Sequence, residues 1–358
     1  MKPFFSANYS AARALFRRSA ESAGLAFNVH KHPLLGPNEE ELSTDTVLIG
    51  SGDARKLVVL ISGTHGVETL CGSACQTQFL AEQKWQALPS DTAVLLVHAL
   101  NPWGAAHLRR NNEDNVDLAR NFLNFDEPVP QNTKYEKLRA AIDCSEFRGL
   151  ERDRADQIHA EFVSTNTINE YVDAVMGGQY QYANGFAYGG NEPVWSNRLL
   201  GKILAPYSPS AKQVRVVEYH SGLGPYGYGS AVTMQTGEDL ERVRSVYGCW
   251  VDAPNDTSDQ HAERFHQVRG HPTDGISSAF PDAVLSAIVL EFGTYPPFQS
   301  LRALLDDHWL THYGDVRSQT GGEIKKKILE YHYPADPDWQ QAVADRSSQV
   351  IEQTFRGL

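Results

Sequence analysis

Short apolar runs of strand length alternate along this chain with segments of helical period. Each run is rich in leucine or β-branched residues and is bounded by Gly, Asn, Pro or a charged residue. We predict strands at Thr46–Gly50, Leu57–Ser62, Ala93–Val97, Val214–Tyr219 and Ala287–Leu290. Such alternation is typical of a largely parallel sheet covered by helices. We therefore expect an α/β fold, with a mostly parallel, mixed sheet flanked by helices.

The helical period occurs before the first of these strands, between them and after the last. It predicts helices at Ser10–Ala23, Thr69–Gln86, Tyr135–Ile142, Arg152–Val175, Trp195–Ile203, Leu240–Tyr247, Leu301–His312 and Trp339–Phe355. The chain has no repeat and no linker rich in Pro, Gly or Ser, so we expect one domain over residues 1–358 with a motif-bearing core at about 46–313. The irregular stretch Gly177–Glu192, with four aromatics, is interpreted either as a surface loop or as a substrate-contacting loop.

Charge and composition exclude several classes of protein. A formal charge of −12 argues against binding to nucleic acid or to an anionic membrane. No apolar run approaches the roughly 18–20 residues that a membrane helix needs. Arg13, Arg17 and Arg18 interrupt the N-terminal apolar stretch, so no signal peptide is expected. Four scattered cysteines form no disulfide framework, and a cytoplasmic location fits best.

Polar residues gather where four of the predicted strands end. These ends are followed by Gly63–Glu68 (GTHGVE), Asn101–Gly104 (NPWG), His220–Gly222 (HSG) and Glu291–Gly293 (EFG). Open α/β sheets bind ligands at the carboxyl ends of their strands. We therefore expect these segments to meet at one functional site.

His65 and Glu68 form an HxxE pair, which lies on one face if the intervening residues turn into a helix. Zinc binds imidazole nitrogen and carboxylate oxygen, and a catalytic zinc site has three protein ligands with one position left for water. His220, at another strand end, is the natural third ligand. The spacing therefore predicts a zinc site on His65, Glu68 and His220.

Glu291 ends an otherwise apolar strand. A carboxylate is costly to bury there unless it is paired or has a pKa adapted to a task. Acting as general base beside the zinc site is such a task. The alternative is a carboxylate that emerges into solvent at the end of the strand.

Together, the segments GTHGVE, NPWG, NVDLARNF, HSGLGPYG and LEFGTYP resemble the zinc carboxypeptidase superfamily. The resemblance spans roughly residues 57–297 and is strongest to a branch catalogued as a domain of unknown function related to those peptidases. It implies a zinc-exopeptidase (phosphorylase/hydrolase-like) fold and one zinc ion per chain on the three residues named above. It also implies that Glu291 is general base and proton shuttle, and that Asp117 orients His65.

The same resemblance implies roles for three arginines. Arg110, with Arg109 as its rival, stands where the superfamily has the residue that stabilises the oxyanion. Arg120 stands where a DxNR segment binds the terminal carboxylate of the substrate. Ala119 replaces the asparagine of that segment, so carboxylate recognition is expected to be altered.

The tyrosine of the superfamily cannot be placed by spacing. Tyr226, Tyr228 and Tyr247 lie between His220 and Glu291, and we assign Tyr226 to substrate binding. Two further patterns compete with the zinc interpretation. A GxGxxG match at Gly222–Gly227 contains a proline where a helix would have to begin, and His308 and His312 lack the glutamate of HExxH.

The sequence thus predicts a zinc metallohydrolase that cleaves a peptide or amide bond, as a carboxypeptidase-like metallopeptidase or amidase would. Its expected substrate is a small peptide or acylated amino acid, anionic near the scissile bond because Arg109, Arg110 and Arg120 lie in one short segment. Two alternatives stay open. One is an N-acyl amino acid or ester deacylase, similar to aspartoacylases and desuccinylases, and the other is an inactive binding relative.

Overall fold

A seven-stranded mixed sheet runs through this computed structural model, which describes residues 3–258 and 267–358. Its strands are β1 (Phe27–Leu35), β2 (Glu41–Ile49), β3 (Lys56–Ser62), β4 (Thr92–His98), β5 (Gln213–Gly222), β6 (Gly229–Val232) and β7 (Val284–Gly293). The order across the sheet is β1-β2-β4-β3-β5-β7-β6. Neighbours among β4, β3, β5 and β7 are parallel, and the outer strands pair antiparallel. The predicted α/β class with a mixed, mostly parallel sheet is confirmed.

Twelve α-helices lie within the same described residues. They are α1 (Tyr9–Ser22), α2 (Thr69–Glu82), α3 (Pro102–Ala106), α4 (Thr133–Ile142), α5 (Leu150–Thr165), α6 (Ile168–Met176), α7 (Trp195–Leu204), α8 (Gly237–Tyr247), α9 (Pro272–Ala279), α10 (Pro297–Tyr313), α11 (Gln319–His332) and α12 (Pro337–Phe355). None of these helices combines the length and the apolar character that crossing a membrane requires.

The central strands are buried on both faces, which is why they read as continuous apolar runs. On β3, Val58 and Leu60 belong to a core formed with α1, α2, α8 and α12. Leu57, Val59 and Ile61 point to the opposite face and belong to a core formed with α7 and α9. Side chains alternate along a strand, so β3 joins two helical layers into one structure.

The predicted elements are all present, with some differences in extent. The helix predicted over Arg152–Val175 is two helices, α5 and α6, separated at Asn166 and Thr167. Thr167 and Glu170 form a reciprocal capping box that begins α6. The strands β1 and β6 and the helices α3, α9 and α11 were not predicted.

The strand order places a crevice at the middle of the sheet. From β3 the chain passes to β4 on one side and later to β5 on the other side. Where parallel strands diverge in this way, the connections leave a cleft at the carboxyl ends of the strands. The segments that follow β3 and β5 therefore lie at the same cleft.

Candidate metal centre and active site

His65 and Glu68 follow the end of β3 in a single turn of helix. His65 caps a short 3₁₀ helix, Gly66–Glu68, which continues into α2. The turn brings the two side chains together, and His65 Nδ1 lies 2.9 Å from Glu68 Oε1. A Cβ at Gly66 would come within 2.1 Å of the backbone of Gly104. The close packing of these two glycines joins the GTHGVE and NPWG segments.

His220 reaches the same point from the end of β5. Its Nδ1 lies 3.1 Å from His65 Nδ1 and 3.1 Å from Glu68 Oε2. Ligand atoms around a tetrahedral zinc, at bonds of about 2.0–2.1 Å, lie about 3.3–3.4 Å apart. The three side chains are only 4%, 3% and 4% exposed, in the order His65, Glu68, His220. Two imidazoles and one carboxylate are also a donor set that catalytic zinc accepts, so these residues fit the ion that the sequence predicts.

Each of the two histidines has a carboxylate at its other ring nitrogen. Asp117 Oδ1 lies 3.1 Å from His65 Nε2, and Glu218 Oε1 lies 2.8 Å from His220 Nε2. A carboxylate at Nε2 keeps the hydrogen there and leaves the Nδ1 lone pair for a metal. Asp117 thus contacts the histidine that the resemblance expects it to orient. The sequence left Glu218 open between this position and solvent, and the side chain is buried.

The cluster is electrostatically suited to a cation. Burial alone would raise the pKa of Glu68, but the positive charges of His65 and His220 outweigh it and hold that pKa well below its usual range. Burial would likewise lower the pKa of His220, but Glu218 and Glu68 raise it well above its usual range. The carboxylates therefore stabilise positive charge between the two imidazoles. A divalent ion would supply that charge in place of imidazole protons.

Glu291 lies beside this cluster on β7, in register with His220 on β5. Its Oε1 accepts a hydrogen bond of 3.1 Å from the Leu223 backbone N–H. Burial, together with the negative charge of Glu68, raises the pKa of Glu291 to about 7. A cation at the three donor atoms would offset the Glu68 charge and lower that pKa. Glu291 lines a cavity at the cluster, where its carboxylate can exchange protons with a bound molecule.

Arg110 is held at the edge of the cluster by two carboxylates. Its Nε donates a 3.0 Å hydrogen bond to Asp117 Oδ2, and its Nη1 lies 3.4 Å from Glu68 Oε1. Within residues 3–258 and 267–358, no acceptor lies within hydrogen-bonding distance of Nη2. The side chain lines the cavity, so this nitrogen can donate to a bound molecule.

The other two arginines are engaged elsewhere. Arg109 donates to Asn115 Oδ1 at 3.0 Å, lies 3.6 Å from Asp307, and is not among the cavity-lining residues. Arg120 does line the cavity, but its Nη1 and Nη2 donate to the backbone carbonyls of Ala119 at 2.8 Å and Met176 at 2.7 Å. The geometry therefore gives no support to Arg109 as an oxyanion donor or to the predicted carboxylate clamp on Arg120.

Tyr226 also lies away from the cavity. It is 46% exposed, and its hydroxyl donates to Asp336 Oδ2 at 2.8 Å. Tyr228 is exposed, and Tyr247 is buried against Thr354. None of these three tyrosines lines the cavity, so their positions do not support the predicted substrate contact.

The competing motifs have structural explanations. The GxGxxG match forms the turn between β5 and β6 and precedes no helix. On α10, His308 has its Nε2 3.3 Å from Oδ1 of Asp143, which follows α4, and this contact accounts for the histidine without a metal. These positions agree with the proline in the first pattern and the missing glutamate in the second.

The cavity is largely apolar beyond the donor cluster. Its apolar wall comes from α6, β6, β7 and α10, with side chains that include Val172, Met176, Val232, Val289, Leu301 and Leu304. Sequence reasoning missed three polar lining residues, His271, Ser300 and His332. His271 stands directly before Pro272, a combination that marks a helix start, but no signal near Ser300 or His332 pointed to the site.

The irregular stretch Gly177–Glu192 supports the site from behind. Residues 185–190 are buried, and none of the stretch lines the cavity. The backbone N–H of Asp117 donates to Tyr188 O at 2.7 Å, and Asn121 Nδ2 donates to Gly189 O at 2.9 Å. The stretch is therefore a packed loop that fixes the segment carrying Asp117, and neither of the two interpretations from the sequence describes it well.

Comparison with known proteins gives a family and several distant structures. The sequence matches a family described as "Protein of unknown function (DUF2817)" over residues 5–346. A search of curated proteins found no match. Bovine thrombin-activatable fibrinolysis inhibitor, solved in complex with a tick carboxypeptidase inhibitor, is 12% identical, with 97% of this chain and 98% of that chain covered and a TM-score of 0.43.

Two further structures are similarly distant. Carboxypeptidase A from Helicoverpa armigera is 13% identical, with 95% of this chain and 74% of that chain covered and a TM-score of 0.43. Succinylglutamate desuccinylase from Chromobacterium violaceum is 14% identical, with 90% and 74% covered and a TM-score of 0.35. Superpositions with TM-scores this low carry no functional inference, which has to come from the site.

Proposed function

Because this chain belongs to the DUF2817 family, whose description assigns no function, we propose from its site that it is a metal-dependent hydrolase of peptide or amide bonds. The match confirms the predicted membership of a family of unknown function. The observation that carries the proposal is the convergence of His65 Nδ1, Glu68 and His220 Nδ1 at one point of a cavity that Glu291 also lines. A relative that had lost its activity would not need to keep all four groups.

Each residue of the site has a separate role in the proposed reaction. A zinc ion held by His65, Glu68 and His220 would supply Lewis-acid chemistry, polarising a carbonyl and making water more acidic. Glu291 accepts the proton of the attacking water and then delivers it to the leaving amine. Arg110 donates from Nη2 to the carbonyl oxygen as negative charge develops there. The carboxylates of Asp117 and Glu218 hold the two imidazoles in place.

The cavity favours an apolar substrate group. Its wall beyond the cluster is formed mainly by aliphatic side chains such as Val289, Leu301 and Leu304. Arg120, the cation expected to bind a terminal carboxylate, is engaged with two backbone carbonyls. We therefore take an apolar peptide or an amino acid with an apolar acyl group as the substrate, in place of the anionic substrate expected from the sequence.

Deacylation is a second candidate. The same groups would cleave the amide of an N-acyl amino acid, and a wall without a dedicated carboxylate clamp suits an acyl chain as well as a side chain. Peptide cleavage and deacylation differ only in which side of the amide the apolar wall binds. A substrate panel separates them directly.

The test is hydrolysis of a panel of apolar peptides and N-acylated amino acids by the zinc-loaded protein. We expect turnover of at least one series, loss of turnover with a chelator, and recovery when zinc is restored, because the proposed reaction needs the ion. Release of free amine is measured by reaction with an amine-specific dye. Turnover that persists unchanged in metal-free protein would contradict the proposal.

C-terminal amidation of a good peptide substrate is expected to change kcat/KM by less than about threefold, well under the tenfold that 1.4 kcal/mol represents. The reason is that Arg120 Nη1 and Nη2 already bind Ala119 O and Met176 O. Paired acid and amide peptides of one sequence give the measurement. A loss of tenfold or more on amidation would show that a cation of the site binds the terminal carboxylate.

A further inference from the structure

His332, the last residue of α11, lines the cavity and is buried. Its Nδ1 lies 2.9 Å from the carbonyl oxygen of Ile328 in the same helix. A carbonyl can only accept a hydrogen bond, so the ring hydrogen sits on Nδ1. In the neutral ring, Nε2 then carries a lone pair and no hydrogen.

Hydrogen bonds hold the end of α11, and with it the His332 ring, against the two strands that carry His220 and Glu291. Ser221, next to His220 on β5, donates from Oγ to His332 O at 2.6 Å. Thr294, directly after β7, donates from Oγ1 to Tyr331 O at 2.6 Å. Two hydroxyl bonds thus fix the end of α11 to the strand ends of the active site.

The ring also packs closely against the end of β5. A Cβ at Gly222 would lie 3.3 Å from His332 Cδ2 and 3.6 Å from Nε2. Within the described ranges 3–258 and 267–358, no donor lies within hydrogen-bonding distance of Nε2. Because the ring lines the cavity, this lone pair is available to a donor on whatever occupies the cavity. Burial lowers the pKa of His332, which favours the neutral ring.

We propose that His332 is a substrate-binding residue, and that its Nε2 accepts a hydrogen bond from an amide N–H of the substrate. This inference rests on the proposed amide hydrolysis and adds a substrate contact to it. The proposal restricts the substrate to amides that carry an N–H at this position. The Nε2 lone pair favours secondary amides over N-alkylated amides and disfavours a carboxylate at the same place. An N–H donor is present in every residue of an ordinary peptide except proline.

The test measures binding separately from turnover. The zinc-loaded full chain carrying Glu291→Gln is titrated with acetyl-Leu-Leu-Phe and with its three singly N-methylated forms. We expect one methylation to weaken binding about tenfold, the scale of one lost hydrogen bond. In the protein that also carries His332→Phe, the same methylation should change Kd by less than about twofold. His332→Gln keeps an acceptor near Nε2 and should restore most of the penalty.

The ratio of two dissociation constants within one protein does not depend on how much of that protein is folded. Should His332→Phe fail to fold, His332→Leu is the second variant without an acceptor. His308→Phe, which replaces a buried histidine of α10 outside the cavity-lining set, should keep the full penalty. Equal penalties with and without His332, or no saturable binding of any of the peptides, would overturn the assignment. Incubating the same peptides with the protein that retains Glu291 tests hydrolysis. Failure of the proposed function is therefore seen separately from failure of the His332 contact.

Discussion

Replacing Glu291 by glutamine is expected to lower kcat on any substrate of the protein by about 10²–10⁴-fold, the range that a positioned general base contributes. Glu68, Asp117 and Glu218 all bind histidine nitrogens. Glu291 instead accepts from the Leu223 backbone, so its carboxylate can receive a proton. Glutamine has the same shape and can still accept from Leu223, but it cannot take a proton from water.

Zinc content, circular dichroism and kcat measured together on the purified Glu291→Gln protein decide this prediction. We expect the metal and the fold to be unchanged. Glu218→Gln is the matched control, because it changes a buried carboxylate at the same site that contacts His220. That control should weaken zinc affinity about 10–100-fold and recover turnover when zinc is in excess. Full turnover of Glu291→Gln, or loss of its zinc, would make Glu291 a structural residue or a ligand.

The strands that could be predicted are those buried on both faces. β3 and β4 are almost entirely buried, and a run of apolar residues marks each of them. β1 pairs only with β2 at the edge of the sheet, is mostly exposed, and contains a proline. Its sequence therefore carries neither an apolar run nor a regular alternation. β6 has four residues, which is too short for any periodic signal.

The candidate site residues could be predicted because they follow strands. His65, His220 and Glu291 each lie at or just beyond the carboxyl end of a parallel strand. The strand order brings these ends together, independently of how the helices pack. The geometry of HxxE then follows from a single helical turn, so local spacing was sufficient for Glu68.

His332 and Arg120 show where local sequence stops being informative. His332 belongs to a helix far along the chain that is joined to the site by tertiary hydrogen bonds from Ser221 and Thr294. Arg120 stands at the position that the resemblance assigns to a carboxylate clamp, yet Met176 O, which binds its Nη2, comes from a different helix. No pattern in the segment around an arginine reveals which distant carbonyl will occupy its donors.

Replacing His220 by alanine is expected to reduce zinc from about one ion per chain to a level that dialysis removes. Removing a residue that hydrogen-bonds to a metal ligand, as Glu218 does, lowers metal affinity about 10–100-fold. Removing the ligand itself should lower zinc affinity further. Alanine also leaves Glu218 Oε1 and Glu68 Oε2 without the imidazole that they contact at 2.8 Å and 3.1 Å. Buried carboxylates that lose a charged partner destabilise a fold, so we also expect a lower Tm.

Elemental analysis after dialysis gives the zinc content, and thermal unfolding with and without added zinc gives a second readout that needs no substrate. A ligand that binds only the folded protein raises Tm by mass action, so zinc should stabilise the wild-type chain and leave His220→Ala almost unaffected.

His308→Ala removes a buried histidine of α10 that is outside the donor cluster. That variant should lose stability and still respond to zinc. If His220→Ala instead kept one zinc per chain and the full zinc-dependent rise in Tm, the ion would be bound elsewhere, and the three converging donor atoms would be an ion-pair cluster without a metal.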